Sequence, residues 1–155
     1  MGYRKKKYQP KPFESDGNHS DTSANIYESM MKSDAWLDLT ATQKVLYMTC
    51  KSQYYAEKNH PENDPTQFTM PQKKWADTYK LYRKDNAKGF IRDISALIEH
   101  GFITCVNKGA MTYTKNVYQY SSMWRKYGTT EFSVTDNNRT IAMLGTRKGK
   151  SEKEK

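Results

Sequence analysis

Apolar positions in the middle of the chain recur at helical spacing and then give way to β-prone runs. The positions i, i+1, i+4, i+7 and i+8 of one helical face are occupied by Phe90, Ile91, Ile94, Leu97 and Ile98. Asp85 or Asn86 can cap this helix, and Gly101 stands where a left-handed residue ends a helix. The pattern therefore predicts an amphipathic helix that stops just before Gly101.

Two helices are predicted upstream. The stretch "SANIYESMMKSDAWLDL" predicts a short helix capped at Ser23, with Ile26, Met30 and Met31 on one side. In the stretch that follows, Thr40 and Gln43 form a capping box, and the next helix should run until Asn59-His60-Pro61. The residues that recur at helical spacing and form its predicted face are Val45, Leu46, Met48, Thr49 and Tyr55.

Shorter elements flank the central helix. Before it, "FTMPQKKWADTY" predicts a brief extended stretch and a short helix with Pro71 in its first turn, and Trp75 and Tyr79 as its buried stripe. After it, "FITCVNKGAMTYTKNVYQYS" predicts a β-hairpin around Asn107-Lys108-Gly109. The order indicates an α+β, mainly helical fold, namely a winged helix-turn-helix with a C-terminal β-hairpin wing.

Composition limits the folded part to the middle of the chain. Of 155 residues only 35% are hydrophobic, and the formal net charge is +9. Residues 1–23 are predicted to be a flexible basic arm, 24–128 the winged-helix domain, and 129–155 a largely flexible basic tail. A cationic surplus of this size favours a polyanionic partner, because lysine and arginine displace counterions from phosphates.

Several locations and activities are not favoured by the sequence. No apolar run approaches the roughly 18–20 residues needed to span a bilayer, and the basic N-terminus lacks the apolar stretch of a signal peptide. Cys50 and Cys105 stand in apolar contexts, which predicts buried thiols in a reducing cytoplasm. The protein is therefore expected to be cytoplasmic, with no membrane partner.

Catalysis is not expected either. A rolling-circle nuclease is the enzymatic alternative, because "YYAEK" places a lysine shortly after a tyrosine. Such a nuclease needs a metal cluster, whereas His19, His60 and His100 stand singly, with no second ligand at metal spacing. The prediction is a non-enzymatic protein with no cofactor and no metal.

Three short motifs point to a family. "AWLDLT", "ALIEHGFI" and "YQYSSMW" resemble segments of the winged-helix domains of replication initiators and related DNA-binding proteins. Those proteins occur on plasmids, phages and conjugative elements of low-GC Gram-positive bacteria. The resemblance spans about 100 residues of the chain. It implies the winged-helix fold and a role in replication initiation, control or transfer of a mobile element, with double-stranded DNA as the partner.

A winged helix that enters the major groove needs long polar side chains near the start of its recognition helix. That part of the chain has Arg83, Lys84, Asn86, Lys88 and Arg92. Lys84, Lys88 and Arg92 are four apart and should form one stripe opposite the apolar face. Arginine suits guanine and asparagine suits adenine, so Arg92 and Asn86 are the candidates for base contacts, with the lysines on phosphates.

Further cations are placed outside that helix. Lys108 at the hairpin tip and Lys115 on the returning strand suit a wing that touches phosphate or the minor groove. The arm "YRKKKYQPK", with Arg4, Lys5 and Lys6, resembles basic arms that enter a neighbouring minor groove. A solubilising role for the arm is an open alternative.

Other functions fit the same sequence. The scaffold also suits a transcriptional regulator, or a protein-interaction adaptor whose basic tails bind nucleic acid non-specifically. A second copy of the chain, or other replication and transfer proteins, are further candidate partners. Base stacking on single strands by the many tyrosines is an alternative to their packing in the core.

Overall fold

The computed structural model describes residues 24–54, 64–109 and 115–134, and within these ranges the protein has an α+β fold. The described elements are helices and a small three-stranded antiparallel sheet. The predicted α+β class is thus confirmed. The arm 1–23, with Arg4, Lys5 and Lys6, lies outside the described residues, as does the tail from residue 135. In the described ranges no helix has both the length and the apolar character that crossing a bilayer requires.

Two four-residue helices, α1 (Glu28–Met31) and α2 (Asp34–Leu37), replace the single helix predicted over this stretch. Ser33 separates them, because its hydroxyl donates to the Met30 carbonyl (2.6 Å) and accepts from the Trp36 amide (3.3 Å). The predicted cap, Ser23, lies outside the described residues, and α1 begins after Tyr27. Of the two methionines predicted on one side, Met30 is buried and Met31 is 45% exposed.

Helix α3 (Ala41–Lys51) begins with the predicted capping box. The Thr40 hydroxyl accepts from the Gln43 amide (3.3 Å), while the Gln43 side chain accepts from the Thr40 amide (2.9 Å). The predicted apolar face is wrong in part, since Val45 and Met48 are 45% and 40% exposed. The buried residues are Leu46, Tyr47 and Cys50, whose spacing forms a different stripe on the helix.

The end of α3 also differs from the prediction. The helix ends at Lys51, and Ser52 is its C-cap. Asn59-His60-Pro61, predicted to end the helix, and Tyr55, predicted on its face, lie outside the described residues.

Strand β1 (Gln67–Thr69) and the π-helix Lys73–Thr78 follow, in agreement with the extended stretch and short helix predicted around Pro71. Trp75 is buried, as predicted. Tyr79 is 39% exposed, so its predicted burial is wrong. The helix has ended at Thr78, and the Tyr79 hydroxyl accepts a hydrogen bond from the Gln53 side chain (2.5 Å).

The longest helix, α4 (Ala87–Glu99), confirms the central prediction. Its apolar face is buried through Phe90, Ile94, Leu97 and Ile98. Asn86 caps its N-terminus, and Gly101 follows its end with a φ of +78°. That left-handed conformation favours glycine, because an L side chain would crowd the backbone there.

Strands β2 (Ile103–Asn107) and β3 (Val117–Tyr120) pair antiparallel, and β1 pairs with the other side of β3, giving the order β1-β3-β2. The hairpin is therefore present, but its turn is not centred on Asn107-Lys108-Gly109 as predicted. Asn107 already pairs with Val117, so residues 108–116 connect the strands, and 110–114 of these lie outside the described residues. The register shifts between Cys105 and Asn107.

The core is built from aromatic rings and the facing sides of α3 and α4. Trp36, Tyr47 and Phe102 form a cluster with centroid distances between 4.9 and 6.0 Å. Cys50 and Cys105 are both buried thiols that form no disulfide with each other, as the sequence predicts for cysteines in apolar contexts. The buried Tyr47 is explained by core packing, which removes it as a base-stacking candidate.

The chain stays packed on the core beyond Gly128, the predicted domain boundary. Tyr127 stacks on His100 at 4.9 Å, and its hydroxyl donates to Asp38 (2.8 Å). Phe132 meets Tyr127 edge-on at 5.4 Å. These contacts attach the C-terminal segment to α2 and to the end of α4.

Candidate nucleic-acid interface

The most cationic part of the described protein runs from the π-helix into α4. Between residues 73 and 92 there are seven basic and two acidic residues. The five predicted contact residues of this region are all exposed: Arg83, Lys84, Asn86, Lys88 and Arg92. Sequence position and exposure thus place a basic surface along the start of α4 and the turn before it.

The predicted stripe of Lys84, Lys88 and Arg92 is wrong at its first member. Helix α4 begins at Ala87, so Lys84 lies in the preceding turn rather than on the helix. Its ammonium pairs with Asp77 of the π-helix (2.9 Å), and its carbonyl accepts from the Gln72 side chain (3.0 Å). Of these three residues, Lys88 and Arg92 lie on the outer face of α4 and Lys84 does not.

Arg83 is also outside the helix. It pairs with Asp85 at 3.0 Å, and both side chains are exposed, at 85% and 68%. Exposed ion pairs contribute about 0.2–1 kcal/mol. Arg83 and Lys84 can therefore exchange their carboxylate partners for phosphates at small cost.

Asn86 uses its side chain to cap α4. Its Oδ1 accepts a hydrogen bond from the Gly89 amide (3.1 Å). Pairing with adenine requires the oxygen and the amide of asparagine together. The predicted adenine contact and the helix cap would therefore have to share the same oxygen of Asn86 as their acceptor.

On the outer face of α4, Lys88 and Arg92 are separated by one turn and followed by Glu99 in the last turn. All three are exposed, whereas the residues on the opposite face are buried. This face is therefore positive in its first half and negative at its end. A polyanion would contact the N-terminal half of α4.

Arg92 is held by a buried carboxylate, which the sequence analysis missed. Its Nε and Nη2 donate to the two oxygens of Asp93, at 3.0 and 3.3 Å. The Asp93 side chain is 1% exposed and that of Arg92 74%. Asp93 also accepts from Tyr82 (2.8 Å) and from Gln43 (3.3 Å).

Electrostatics keep Asp93 ionised. Burial, the largest influence, raises its pKa, but the hydrogen bonds from Arg92, Tyr82 and Gln43, together with the charge of Arg92, outweigh it and hold the pKa below its usual value. The same contacts raise the pKa of the Arg92 guanidinium. The sequence does contain one sign of this network. Asp93 lies beside the apolar stripe of an amphipathic helix, and a buried charge in that position needs hydrogen-bond partners.

The wing residues are described in part. Lys108 is half-buried and Lys115 is exposed. Next to Lys115, the Asn116 side chain accepts from the Gly109 amide (2.9 Å) and donates to the Tyr118 hydroxyl (3.3 Å). Asn116 thus ties together the two ends of the connection between β2 and β3, where Lys108 and Lys115 lie.

Among the described residues, no group of three or more His, Cys, Asp or Glu side chains is arranged to hold a metal ion. Comparisons with protein-family models, with curated proteins and with solved structures find no match for the chain.

Proposed function

We propose that the protein binds double-stranded DNA as a winged-helix domain, with α4 in the major groove. The observation on which this rests is the outer face of α4, where Lys88 and Arg92 are exposed while the opposite face is buried. The major groove is about 12 Å wide and accepts one α-helix. The 13 residues of α4 extend for about 20 Å, long enough to lie along it.

The order of the elements supports this proposal. The π-helix, the turn 79–86 and α4 follow one another as helix, turn and helix, and the antiparallel pair β2–β3 comes next. Strand β1 completes the sheet on the other side of β3. A winged helix has this succession of helix, turn, recognition helix and hairpin, in which the β2–β3 connection is the wing.

The contacts divide by chemistry. Contacts with phosphates, which fix the position of the protein on the duplex, suit Lys88. They also suit Arg83 and Lys84 once these residues have lost their surface ion pairs. Lys108 and Lys115 are suited to phosphates beside the wing. Arg92 is the candidate for a base contact, because its orientation is fixed and arginine pairs with guanine in two hydrogen bonds.

The biological setting belongs to the same proposal and rests on the sequence resemblance. It is replication initiation, control or transfer of a plasmid, phage or conjugative element, in the cytoplasm of the host cell. A transcriptional regulator on the same scaffold is the alternative. Footprinting on the genetic element that encodes the protein discriminates them, because an initiator protects repeats at an origin and a regulator protects its own promoter.

The binding experiment measures the anisotropy of a labelled random-sequence duplex titrated with the full-length chain. Lys88→Ala together with Arg92→Ala should weaken binding at least tenfold at low salt. It should also lower the salt dependence, since each lost phosphate contact reduces the slope of log K against log salt by about 0.9. Thermal unfolding of the variant shows whether the fold is retained.

The matched control removes two cations elsewhere, by Lys32→Ala together with Lys126→Ala. Both lysines are exposed and paired with acids, Glu28 and Glu131, so the change in net charge is the same. We expect this control to weaken binding less than threefold. Equal losses for the two double variants would refute a specific role of α4.

A protein-interaction adaptor is the second candidate, and one observation favours it. Val45 and Met48 are large apolar residues that stand exposed on the outer side of α3. If deletion of residues 1–22 removes all duplex affinity while the α4 variant has none of the expected effect, the adaptor hypothesis replaces groove binding. A preference for single-stranded over duplex DNA would instead support base stacking by tyrosines.

A further inference from the structure

We infer that Asp93 is a positioning residue for DNA recognition, which holds the Arg92 guanidinium in the orientation that contacts a guanine. The inference rests on the proposed function and adds to it the base and the residue that orients the contact. Asp93 itself does not touch DNA in this arrangement, because its side chain is 1% exposed.

The contact between the two side chains is made through both carboxylate oxygens. Nε of Arg92 donates to Oδ1 and Nη2 to Oδ2, at 3.0 and 3.3 Å. Two hydrogen bonds from a planar guanidinium to a planar carboxylate fix rotation as well as position. Arg83 is the contrast within the same surface, since it makes one such contact, through Nη2, to the exposed Asp85.

The carboxylate is fixed in turn from two other elements. The Tyr82 hydroxyl, in the turn before α4, donates to Oδ2 at 2.8 Å. The Gln43 side chain, in the capping box of α3, donates to Oδ1 at 3.3 Å. The position of Asp93 therefore follows the packing of α3 against α4, and Arg92 is oriented relative to the whole helical unit.

The donors that remain on Arg92 match a guanine. A guanidinium has five N–H donors, and the Asp93 contact uses the edge formed by Nε and Nη2. The outer edge, one N–H of Nη1 and one of Nη2, is left on a side chain that is 74% exposed. Guanine presents O6 and N7 in the major groove to such an edge.

The orientation can be tested without DNA. Nuclear magnetic resonance of the full chain should show a persistent Arg92 Nε–H signal at neutral pH, with restricted side-chain motion. Arg83 is the matched control, and its Nε–H should exchange rapidly and move freely. An Arg92 Nε–H as mobile as that of Arg83 would overturn the inference, whatever the protein binds.

The base contact is tested with duplexes selected from a random pool by the wild-type chain. The selected site should contain a guanine at which 7-deazaguanine, which lacks the N7 acceptor, weakens binding about tenfold. In Asp93→Asn the penalty for 7-deazaguanine should fall to about twofold. In Arg92→Lys the guanine preference should be lost. Adding Asp93→Asn to that variant should cause no further change in the 7-deazaguanine penalty.

Tyr82→Phe separates orientation from stability. It removes one hydrogen bond that fixes Asp93 but leaves both contacts to Arg92, so it should lower the melting temperature and change the 7-deazaguanine penalty less than Asp93→Asn does. Absence of duplex binding by the wild type would sink the proposed function as a whole. If the wild type binds duplex DNA but Asp93→Asn leaves the 7-deazaguanine penalty intact, only the role of Asp93 is refuted. The same holds if no 7-deazaguanine penalty depends on Arg92.

Discussion

The side chain of Asn86 occupies the space that a β-carbon at position 89 would need. Its Oδ1 accepts from the Gly89 amide at 3.1 Å, and a Cβ on residue 89 would lie 2.7 Å from Nδ2 and 2.8 Å from Oδ1. Gly89 is therefore explained by the cap of α4. A close approach of DNA is not needed to account for a glycine at this position of the helix.

Gly89→Ala should for this reason leave stability almost unchanged. Alanine favours a helix over glycine by about 1 kcal/mol, but the new methyl group displaces the Asn86 side chain, and a lost cap costs about 1 kcal/mol. In the background of Asn86→Ala the clash is gone, so the same substitution should raise the free energy of unfolding by about 1 kcal/mol. Urea unfolding of the four proteins measures both effects. Equal stabilisation in the two backgrounds would contradict the coupling.

The N-terminal caps of α3 and α4 and the end of α4 could be predicted because they depend on residues three or four apart. The Thr40–Gln43 box, the Asn86 cap and the left-handed Gly101 are all local in this sense. The buried face of α3 could not be predicted in the same way. Its choice of Tyr47 over Val45 depends on Phe102 and Trp36, which are distant in sequence.

The candidate site shows the same division. The cationic character of the segment 83–92 is visible in the sequence, and so is the amphipathic helix that follows. The separation of Lys84 from Lys88 and Arg92 is not visible in the sequence, because it depends on α4 starting at Ala87 and on the contact of Lys84 with Asp77. The network of Asp93 was also missed, since Gln43 lies 50 positions away.

Asp93→Asn should destabilise the protein at neutral pH by about 2 kcal/mol, the scale of lost charged hydrogen bonds. The carboxylate accepts from Gln43, Tyr82 and Arg92, whereas a carboxamide has one accepting oxygen and would turn an N–H toward other donors. The fold should survive, because Arg92 is solvent-exposed and is not left as a buried unpaired charge. Chemical denaturation at pH 7 provides the measurement.

The pH dependence gives the same prediction a second test. The pKa of Asp93 is lowered in the folded protein, so below the unfolded value of about 3.9 the unfolded chain binds more protons than the folded one. Its contribution to stability is therefore present above about pH 4 and is lost as the pH falls through the folded pKa. The difference in stability between the wild type and Asp93→Asn should therefore shrink as the pH falls below about 4. A difference that stays constant on further acidification would argue against an ionised Asp93.

Gly101→Ala should be among the most destabilising single changes in the chain. The residue has a φ of +78°, and a Cβ there would lie 2.7 Å from the Trp124 amide nitrogen, a backbone atom. The left-handed conformation alone costs a non-glycine residue about 1–2 kcal/mol. We expect a total loss of at least about 2 kcal/mol in urea unfolding, because the 3₁₀-helix Met123–Lys126 must also move.

Lys80 gives the matched contrast, since it has a φ of +50° without being glycine. Lys80→Gly should therefore raise the free energy of unfolding by up to about 1 kcal/mol, through relief of the same conformational cost. Gly101→Ala and Lys80→Gly thus test one physical effect with opposite signs. Loss of stability in Lys80→Gly would show that contacts of the lysine side chain outweigh the backbone term.

Glu99→Gln should strengthen duplex binding. Glu99 lies on the outer face of α4 with Lys88 and Arg92, about 10 Å along the axis from Arg92, and its charge repels the phosphates that flank the groove. We expect affinity to rise about two- to fivefold at low salt and the gain to shrink in high salt, where charges are screened.

Glu131→Gln is the control for Glu99→Gln, because it removes another exposed acid, from the C-terminal segment. It should change affinity less than twofold in the same anisotropy titration. Since Glu99 also lies in the last turn of α4, where the helix dipole disfavours an acid, its replacement should stabilise the fold by about 0.3–1 kcal/mol whether or not DNA binds there. Stabilisation without any gain in affinity would show that DNA does not contact this face of α4.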